Sequence, residues 1–289
     1  MISQAEFMAA PAETVAAFAP ASIVYAAAGT RRAAVLAGEP AEGDGYAEWS
    51  RGQMMRACRV IFDHGVQHVF TLLAGPGQFQ EVGAYRGHLI DWIAQGVAGD
   101  TALRDFQAHG WNVRLLCGDE IPLLSDARKR LREQSRSGAP TLWLQVIPEA
   151  ETPWQWAFTA IKRSGAESRR EAVRALYGEE IAPISLLPGF GKPVISADLL
   201  PPLLAGSVQC YWSQQPGYSL TAHQLRLVLY DYAFHRSTWR ADKTGRAEQV
   251  LAHADAWRDG PILGLGRRLG PFWYPEHGRP FSGSSLEEQ

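Results

Sequence analysis

The sequence has few cysteines, and the three that it contains follow no metal-binding or disulfide spacing. Cys58, Cys117 and Cys210 are far apart and odd in number, and no C-x-x-C pair occurs. Each lies in an apolar stretch, which favours a buried, reduced thiol. Reduced thiols in turn predict a reducing compartment, the cytoplasm.

The sequence also lacks an excess of charge of one sign and any long apolar run. The formal net charge is −2 over 289 residues, so no basic surplus points to nucleic acid. No apolar stretch reaches the roughly 20 residues that span a bilayer. Glu6 and Glu13 interrupt the alanine-rich beginning of the chain, which has no basic region, so we do not expect a signal peptide.

Several catalytic motifs are missing as well. There is no H-E-x-x-H pattern, and we predict no metal site from His64, His68 or His109. The serine-hydrolase pattern G-x-S-x-G is absent. Gly264-Leu265-Gly266 with Gly270 resembles a dinucleotide-binding motif. It lies near the end of the sequence, however, and no acidic residue follows at the required distance.

What the sequence does contain is a regular alternation of short apolar strands and amphipathic helices. This alternation predicts an α/β fold with a central parallel six-stranded sheet flanked by helices. The length suits a single domain, residues 1–289, with an irregular Gly/Pro-rich tail from about 260. The predicted strands are Ser22–Ala27, Gln67–Ala74, Val113–Cys117, Thr141–Ile147, Ile184–Leu187 and Val208–Trp212.

A glycine and two arginines follow the first predicted strand, in the run Gly29-Thr30-Arg31-Arg32. Ligands of open α/β sheets bind at the carboxyl ends of the strands, so this is the first place to expect a site. Glycine permits a sharp turn with exposed N–H groups, and two guanidinium groups add forked donors for phosphate oxygens. The alternative is an ordinary basic pair on a surface loop.

Two further features are candidates for the same edge of the sheet. Gly189-Phe190-Gly191-Lys192 follows the fifth predicted strand, although a plain turn with a solvated lysine fits the residues too. Tyr46 and Tyr85 stand near the starts of the helices after the first and second strands. A tyrosine there could stabilise a cation with its ring or hydrogen-bond a leaving oxygen, or it could be a half-buried packing residue.

Taken in order along the chain, these motifs resemble the cis-prenyltransferase (undecaprenyl diphosphate synthase-like) superfamily. The resemblance is greatest to its tuberculosinol/tuberculosinyl-adenosine synthase branch of diterpene synthases. The branch pattern D-G-T-R-R-W corresponds to Ala28–Ala33, and two branch tyrosines correspond to Tyr46 and Tyr85. Further matches are Leu176-Tyr177-Gly178-Glu179, Gly189-Phe190-Gly191-Lys192, Pro216-Gly217-Tyr218 with Thr221, Leu225-Arg226 and Leu229-Tyr230-Asp231, and Gly264-Leu265-Gly266 with Phe272-Trp273.

The resemblance implies a terpene synthase that ionises an allylic C20 diphosphate, already cyclised, to give an alkene or an alcohol. It assigns catalysis to Tyr46, Tyr85, Arg31 and Arg32. It assigns diphosphate binding to Gly29, Thr30, Arg31, Arg32, Gly189, Gly191 and Lys192. Two alternatives stay open: a prenyl transferase acting on a small acceptor such as a nucleoside, and a non-catalytic partner subunit of a prenyltransferase.

The resemblance also implies a homodimer. The amphipathic helix predicted over Thr221–Arg236 could form its interface, or it could simply pack on the sheet.

Two departures from the family pattern bear on the chemistry. The R-x-S-G-E-x-R-x-S segment that grips isopentenyl diphosphate corresponds here to Gly189–Ala197, which contains no arginine, so chain elongation is not expected. The family aspartate that helps to bind Mg²⁺ is replaced by Ala28, which cannot ligate a metal. Either the arginines alone support ionisation, or the activity is lost, or the sequence was altered at this position, and Mg²⁺ dependence stays open.

Overall fold

The computed structural model of this chain describes residues 2–82, 84–118, 121–196, 198–239, 241–258 and 263–276, and only the backbone of 84–87 and 123. The helices are α1 Gln4–Ala9, α2 Ala12–Ala16, α3 Thr30–Leu36, α4 Gly43–Phe62, α5 Pro76–Gln80, α6 Ala84–Ala98, α7 Asp100–His109, α8 Leu123–Glu133, α9 Thr152–Ser164, α10 Arg169–Tyr177, α11 Ala222–Phe234, α12 Arg246–Ala252 and α13 Ala254–Arg258. The strands are β1 Ser22–Val24, β2 His68–Ala74, β3 Asn112–Leu116, β4 Thr141–Val146, β5 Ile184–Phe190, β6 Ala205–Ser213, β7 Gly266–Leu269 and β8 Phe272–Pro275.

The central sheet has six parallel strands in the order β3-β4-β2-β1-β5-β6. This confirms the predicted fold class. The chain lays down β2, β3 and β4 on one side of β1 and then moves to β5 and β6 on the other. Because the direction of winding changes at β1, a crevice opens at the carboxyl end of that strand, where doubly wound sheets bind their ligands.

Apolar side chains cover both faces of the sheet. One cluster joins the sheet to α4, α6, α7, α8 and α11, and a second lies on the opposite face beneath α10. Every residue of β4 is buried, as expected for an inner parallel strand. On the second face the rings of Phe70 and Trp143 stack with centroids 5.5 Å apart, and Tyr177 meets both edge-on.

Strand β5 extends further than its sequence predicts. The prediction ended it at Leu187, because Gly189 and Gly191 are typical of a loop, but the strand continues to Phe190. Gly189 is paired with Trp212 on β6, and a Cβ on Gly189 would lie 2.3 Å from the indole ring. This glycine therefore makes room for a neighbouring side chain and does not break the strand.

Several predicted loops are helical. Gly29 has a φ of 78° and caps α3, so Thr30, Arg31 and Arg32 form the first helical turn rather than a loop. Residues 37–45 are rich in glycine and acidic residues and contain Pro40, a composition that predicts a loop, but α4 already begins at Gly43. In the tail predicted to be irregular, β7 and β8 form an antiparallel hairpin. A seven-residue helix such as α3 carries too little periodicity to be recognised in sequence.

Helix α11 packs on the core, which is one of the two alternatives that its sequence allows. Leu225, Leu229 and Tyr230 are buried, and the Tyr230 ring lies 5.4 Å from that of Phe7 on α1. Arg226 donates to the carbonyls of Met8 and Ala10 and to Nε2 of His64.

Two of the three cysteines are buried, as expected, and the third is only partly buried. Cys58 and Cys117 are buried and Cys210 is half-buried, and all three are free thiols. Burial raises the pKa of Cys58 to about 12. Separately, within the residues described above, no helix is both long and apolar enough to cross a membrane.

His68 makes the stability of the fold sensitive to acid. Burial lowers the pKa of His68 below its ordinary value of 6.5, and its Nδ1 accepts a hydrogen bond from Trp143 Nε1 at 3.2 Å. The unfolded chain therefore binds a proton at His68 more readily than the folded chain does. As a result, the free energy of unfolding is not reduced by His68 above pH 6.5, and it decreases as the pH drops below that value. We expect the unfolding midpoint to decrease from pH 8 to pH 5.5, and to decrease less in His68→Gln. Thermal melts of both proteins across that range test this, and equal decreases would contradict it.

Candidate active site

A cavity of about 470 Å³ opens at the carboxyl ends of β1 and β2. This volume lies within the roughly 300–1,000 Å³ typical of small-molecule sites. Helices α4 and α6 form two walls, and apolar side chains line its depth: Met54, Leu89, Ile93 and Val97. Polar and charged groups from α3 and from the segment after α5 lie at its mouth. The cavity wall thus combines apolar side chains with the charged groups of α3 and Glu81, and Arg51 of α4 lines it as well.

Arg32 brings together the two glycine motifs that the sequence had singled out separately. Its guanidinium group folds back over Gly29, where a Cβ would lie 2.5 Å from Nη2. A Cβ on Gly191 would lie 3.4 Å from the same nitrogen. On a third side, the ring of Phe272 from β8 lies 5.1 Å from the guanidinium carbon, a cation–π contact. The expected meeting of the loops after β1 and β5 is thus found at this side chain.

Arg31 lines the same cavity, and its partner was not predicted. Its Nη2 donates to Oε2 of Glu81 at 3.0 Å, and both side chains are partly exposed. Glu81 directly follows α5, just beyond the carboxyl end of β2. Glu81 lies beyond the carboxyl end of a strand, as Arg31 does, so the same reasoning could have identified it. An isolated acidic residue, however, forms no motif in the sequence.

Of the two predicted tyrosines and the predicted lysine, only Tyr46 is described by the structure as part of the cavity wall. Tyr46 lines the cavity, and its hydroxyl lies 2.6 Å from that of Thr30. Tyr85 belongs to α6, but its side chain lies outside the described part of the structure. Lys192 is exposed, and it is not among the described residues that form the cavity wall. Gly189 lies inside β5, so Gly191 is the glycine of this motif that lies beside Arg32.

A second hydroxyl pair in the cavity was missed by the sequence argument. Ser50 and Tyr218 both line the wall, with their hydroxyl oxygens 2.7 Å apart. Ser50 could have been found, since it follows Tyr46 by four residues and therefore shares its face of α4. Tyr218 comes from the turn between β6 and α11, and no sequence pattern connects it to α4.

The turn that carries Tyr218 is tightly constrained. Tyr218 has a φ of 75°, a left-handed conformation that is strained for any side chain with a Cβ. Gly217 N–H donates to the carbonyl of Ala28 at 2.6 Å, and a Cβ on Gly217 would lie 2.8 Å from the backbone of Ala27. Arg56 donates to the Tyr218 carbonyl from α4. The end of β1 and α4 thus hold this tyrosine in the cavity from both sides.

Ala28, which stands in place of the family aspartate, has no ligating atom in its side chain. The Glu81 carboxylate in the same cavity wall is engaged by Arg31. Over the described ranges, no three His, Cys, Asp or Glu side chains cluster closely enough to hold a metal ion.

Comparison with solved structures gives the class of the fold. Lavandulyl diphosphate synthase from Lavandula x intermedia, solved in complex with dimethylallyl diphosphate, superposes with a TM-score of 0.59 at 10% identity, covering 78% of this chain and 98% of that one. A probable undecaprenyl diphosphate synthase from Campylobacter jejuni superposes with a TM-score of 0.52 at 12% identity, covering 75% and 96%. The fold is that of the cis-prenyltransferases.

Sequence comparison places the chain more narrowly. It is 46% identical over 274 residues to (+)-kolavelool synthase of Herpetosiphon aurantiacus, which covers 94% of this chain and 95% of that protein. It is 25% identical over 304 residues to the tuberculosinyl adenosine transferase of Mycobacterium tuberculosis, covering 96% and 99%. The chain belongs to the family of the (+)-kolavelool synthase. No protein-family model matches the sequence.

These findings confirm the predicted superfamily and branch, and they confirm that the chain is an enzyme. They also confirm a diterpene synthase as the function class. The more distant transferase gives weaker support to the alternative in which a small acceptor is prenylated.

Proposed function

We propose that this chain ionises a C20 allylic diphosphate, already cyclised at its far end, and releases an alcohol or an alkene. The observation that carries the proposal is the cavity itself, which joins a guanidinium-bearing mouth to an apolar interior on the scale of a small-molecule site. A diphosphate suits the charged end. A bulky hydrocarbon skeleton suits the rest.

The diphosphate binds at the mouth, on Arg32 and Arg31. Both guanidinium groups are fixed charges that can donate forked hydrogen bonds to phosphate oxygens. Gly29 and Gly191 leave space beside Arg32 that a larger residue would fill. Lys192, exposed next to Gly191, extends the positive rim.

Ionisation follows from where these charges stand. When the carbon–oxygen bond breaks, negative charge grows on the diphosphate, and donors already in place stabilise it without reorganising. The allylic cation left behind lies in the apolar part of the cavity, which keeps bulk water away from it. The Tyr46 ring presents a π face to a cation, and its hydroxyl, bonded to Thr30, lies towards the diphosphate end. The same role is proposed for Tyr85.

The prenyl transferase is the second candidate, and the 25% identical tuberculosinyl adenosine transferase favours it. In that case a small acceptor such as a nucleoside would capture the cation. The third candidate, a non-catalytic partner subunit, draws only on Ala28. It leaves unexplained why the arginines remain arranged around an open cavity.

One assay separates the three. The purified chain is incubated with a pre-cyclised C20 allylic diphosphate, alone and with adenosine, and diphosphate release and organic products are measured. We expect release without an acceptor and a hydrocarbon or alcohol of unchanged skeleton. Products that form only with adenosine would establish the transferase. Absence of diphosphate release under both conditions would contradict both enzymatic proposals.

We further propose that the enzyme is a cytoplasmic homodimer. The reduced, largely buried cysteines support the compartment. Large apolar side chains between α11 and β7 support a partner surface, since Trp239, Leu251 and Trp257 are more than 70% exposed. Light scattering coupled to size-exclusion chromatography would show twice the 31.8 kDa chain mass for a dimer.

A further inference from the structure

Two hydroxyl pairs lie in the cavity, one helical turn apart. Tyr46 and Ser50 are separated by four residues on α4, about 6 Å along the axis. Thr30 bonds the first at the diphosphate end, and Tyr218 bonds the second deeper in the cavity. The first pair has a role in the proposed ionisation. The second has none, although it lies beside the space where the cation would form.

The Ser50 hydroxyl can bind a further oxygen. If it donates to Tyr218, both of its lone pairs are left, and if it accepts, its proton and one lone pair are left. Met54 is buried on the next turn of the same face, and the Trp49 ring lies 6.1 Å from that of Tyr218. Arg51, which also lines the cavity, is paired with Asp105. A water molecule in this space can therefore hydrogen-bond to the Ser50 hydroxyl.

The backbone at Tyr218 indicates that this placement is maintained against a steric cost. A non-glycine residue with a φ of 75° persists only where its surroundings hold it, and such residues cluster at functional sites. Here the constraints are the bond from Gly217 to Ala28 and the donation from Arg56. Their combined effect is to direct one phenol hydroxyl onto Ser50.

We propose that the Ser50–Tyr218 pair holds the water molecule that captures the allylic cation, and so determines alcohol over alkene. The proposal rests on the synthase function proposed above. A lone pair of the water oxygen forms the new carbon–oxygen bond. One proton is then lost from that oxygen and ends on the diphosphate released in the ionisation step. Without a held water, the cation instead loses a proton from a neighbouring carbon and gives an alkene.

The test compares wild type with Tyr218→Phe and Ser50→Ala. Each is incubated with a C20 allylic diphosphate in ¹⁸O-labelled water, and diphosphate release and the alcohol-to-alkene ratio are measured. We expect the ratio to fall about tenfold in either variant, the effect of one lost hydrogen bond, with diphosphate release within about threefold of wild type. The alcohol should carry the label.

Tyr232→Phe is the matched control. Tyr232 and Ser185 form a hydroxyl pair with the same 2.7 Å separation, and neither belongs to the described cavity wall. This variant should leave the ratio unchanged. Because the two test variants break the pair from opposite sides, a folding failure of one leaves the other decisive.

A ratio unchanged in both test variants, an unlabelled alcohol, or a wild type that yields only alkene would overturn the role of the pair and leave the synthase standing. A wild type that releases no diphosphate would overturn the synthase function itself. The two failures are therefore distinct.

Discussion

Replacing Arg32 with alanine is expected to lower the turnover of a C20 allylic diphosphate by about 10²–10³-fold, the usual cost of one preorganised donor to a developing negative charge. Arg32 is the side chain on which the glycines after β1 and β5 converge, with Phe272 on its face. In the proposed reaction, it lies where the leaving diphosphate is stabilised. Steady-state assays of diphosphate release measure the effect, and we expect kcat to fall more than KM rises.

Two further variants make this prediction specific. Arg32→Lys keeps the charge but loses the forked donors, so its turnover should lie between those of alanine and wild type. Arg170→Ala is a matched control, because Arg170 is exposed, pairs with Glu180 and leaves Arg174 on the same carboxylate. Near-native turnover of Arg32→Ala with an unchanged melting temperature would show that the diphosphate binds elsewhere.

Replacing Gly96 with phenylalanine is expected to abolish turnover of the C20 substrate while sparing a short one. Gly96 lines the cavity from α6, and a Cβ added there meets no atom within 4 Å, so a larger side chain would grow into the open space. A displacement of even about 1 Å at the reacting centre can cost 10²-fold, and we expect at least that loss for a C20 diphosphate. A C10 allylic diphosphate should be turned over within about tenfold of its wild-type rate, because it leaves the far end of the cavity empty.

The controls separate steric exclusion from damage to the fold. Gly96→Ala adds one methyl group in open space and should keep C20 activity. It should also stabilise α6 by roughly 0.5–1 kcal/mol, since glycine is a poor helix former. Gly52→Phe makes the same change on α4, at an exposed helical glycine outside the described cavity wall. Equal losses for C20 and C10 substrates in Gly96→Phe would mean that the fold, not the cavity length, was affected.

Much of the architecture is present in local sequence patterns. The parallel sheet follows from strands and helices that alternate, and the positions of Gly29 and Gly191 at one edge follow from that sheet alone. Gly189 was misjudged because a glycine that admits a neighbouring indole and a glycine that ends a strand look the same in sequence. Only the pairing of β5 with β6 distinguishes them.

The chemistry of the cavity was harder to predict where it depends on residues far apart in the chain. Tyr46 and Thr30 stand near each other in sequence and could be proposed together. Ser50 and Tyr218 are 168 positions apart, and their contact exists only once β6 has joined the sheet. Family resemblance supplied the diphosphate and included Pro216-Gly217-Tyr218 among its matches. It did not indicate the contact between Tyr218 and Ser50, or the Glu81 partner of Arg31.

The position of Phe272 affects the order in which the parts of the cavity form when the chain folds during synthesis. The cavity wall begins with Ala27, while its aromatic cover over Arg32 comes from β8, among the last described residues. A chain still emerging from the ribosome can complete its sheet, and with it the apolar interior, well before that ring arrives. The mouth is thus finished after the sheet, and a chain shortened before β7 would keep its core but leave the Arg32 guanidinium uncovered to solvent on that side.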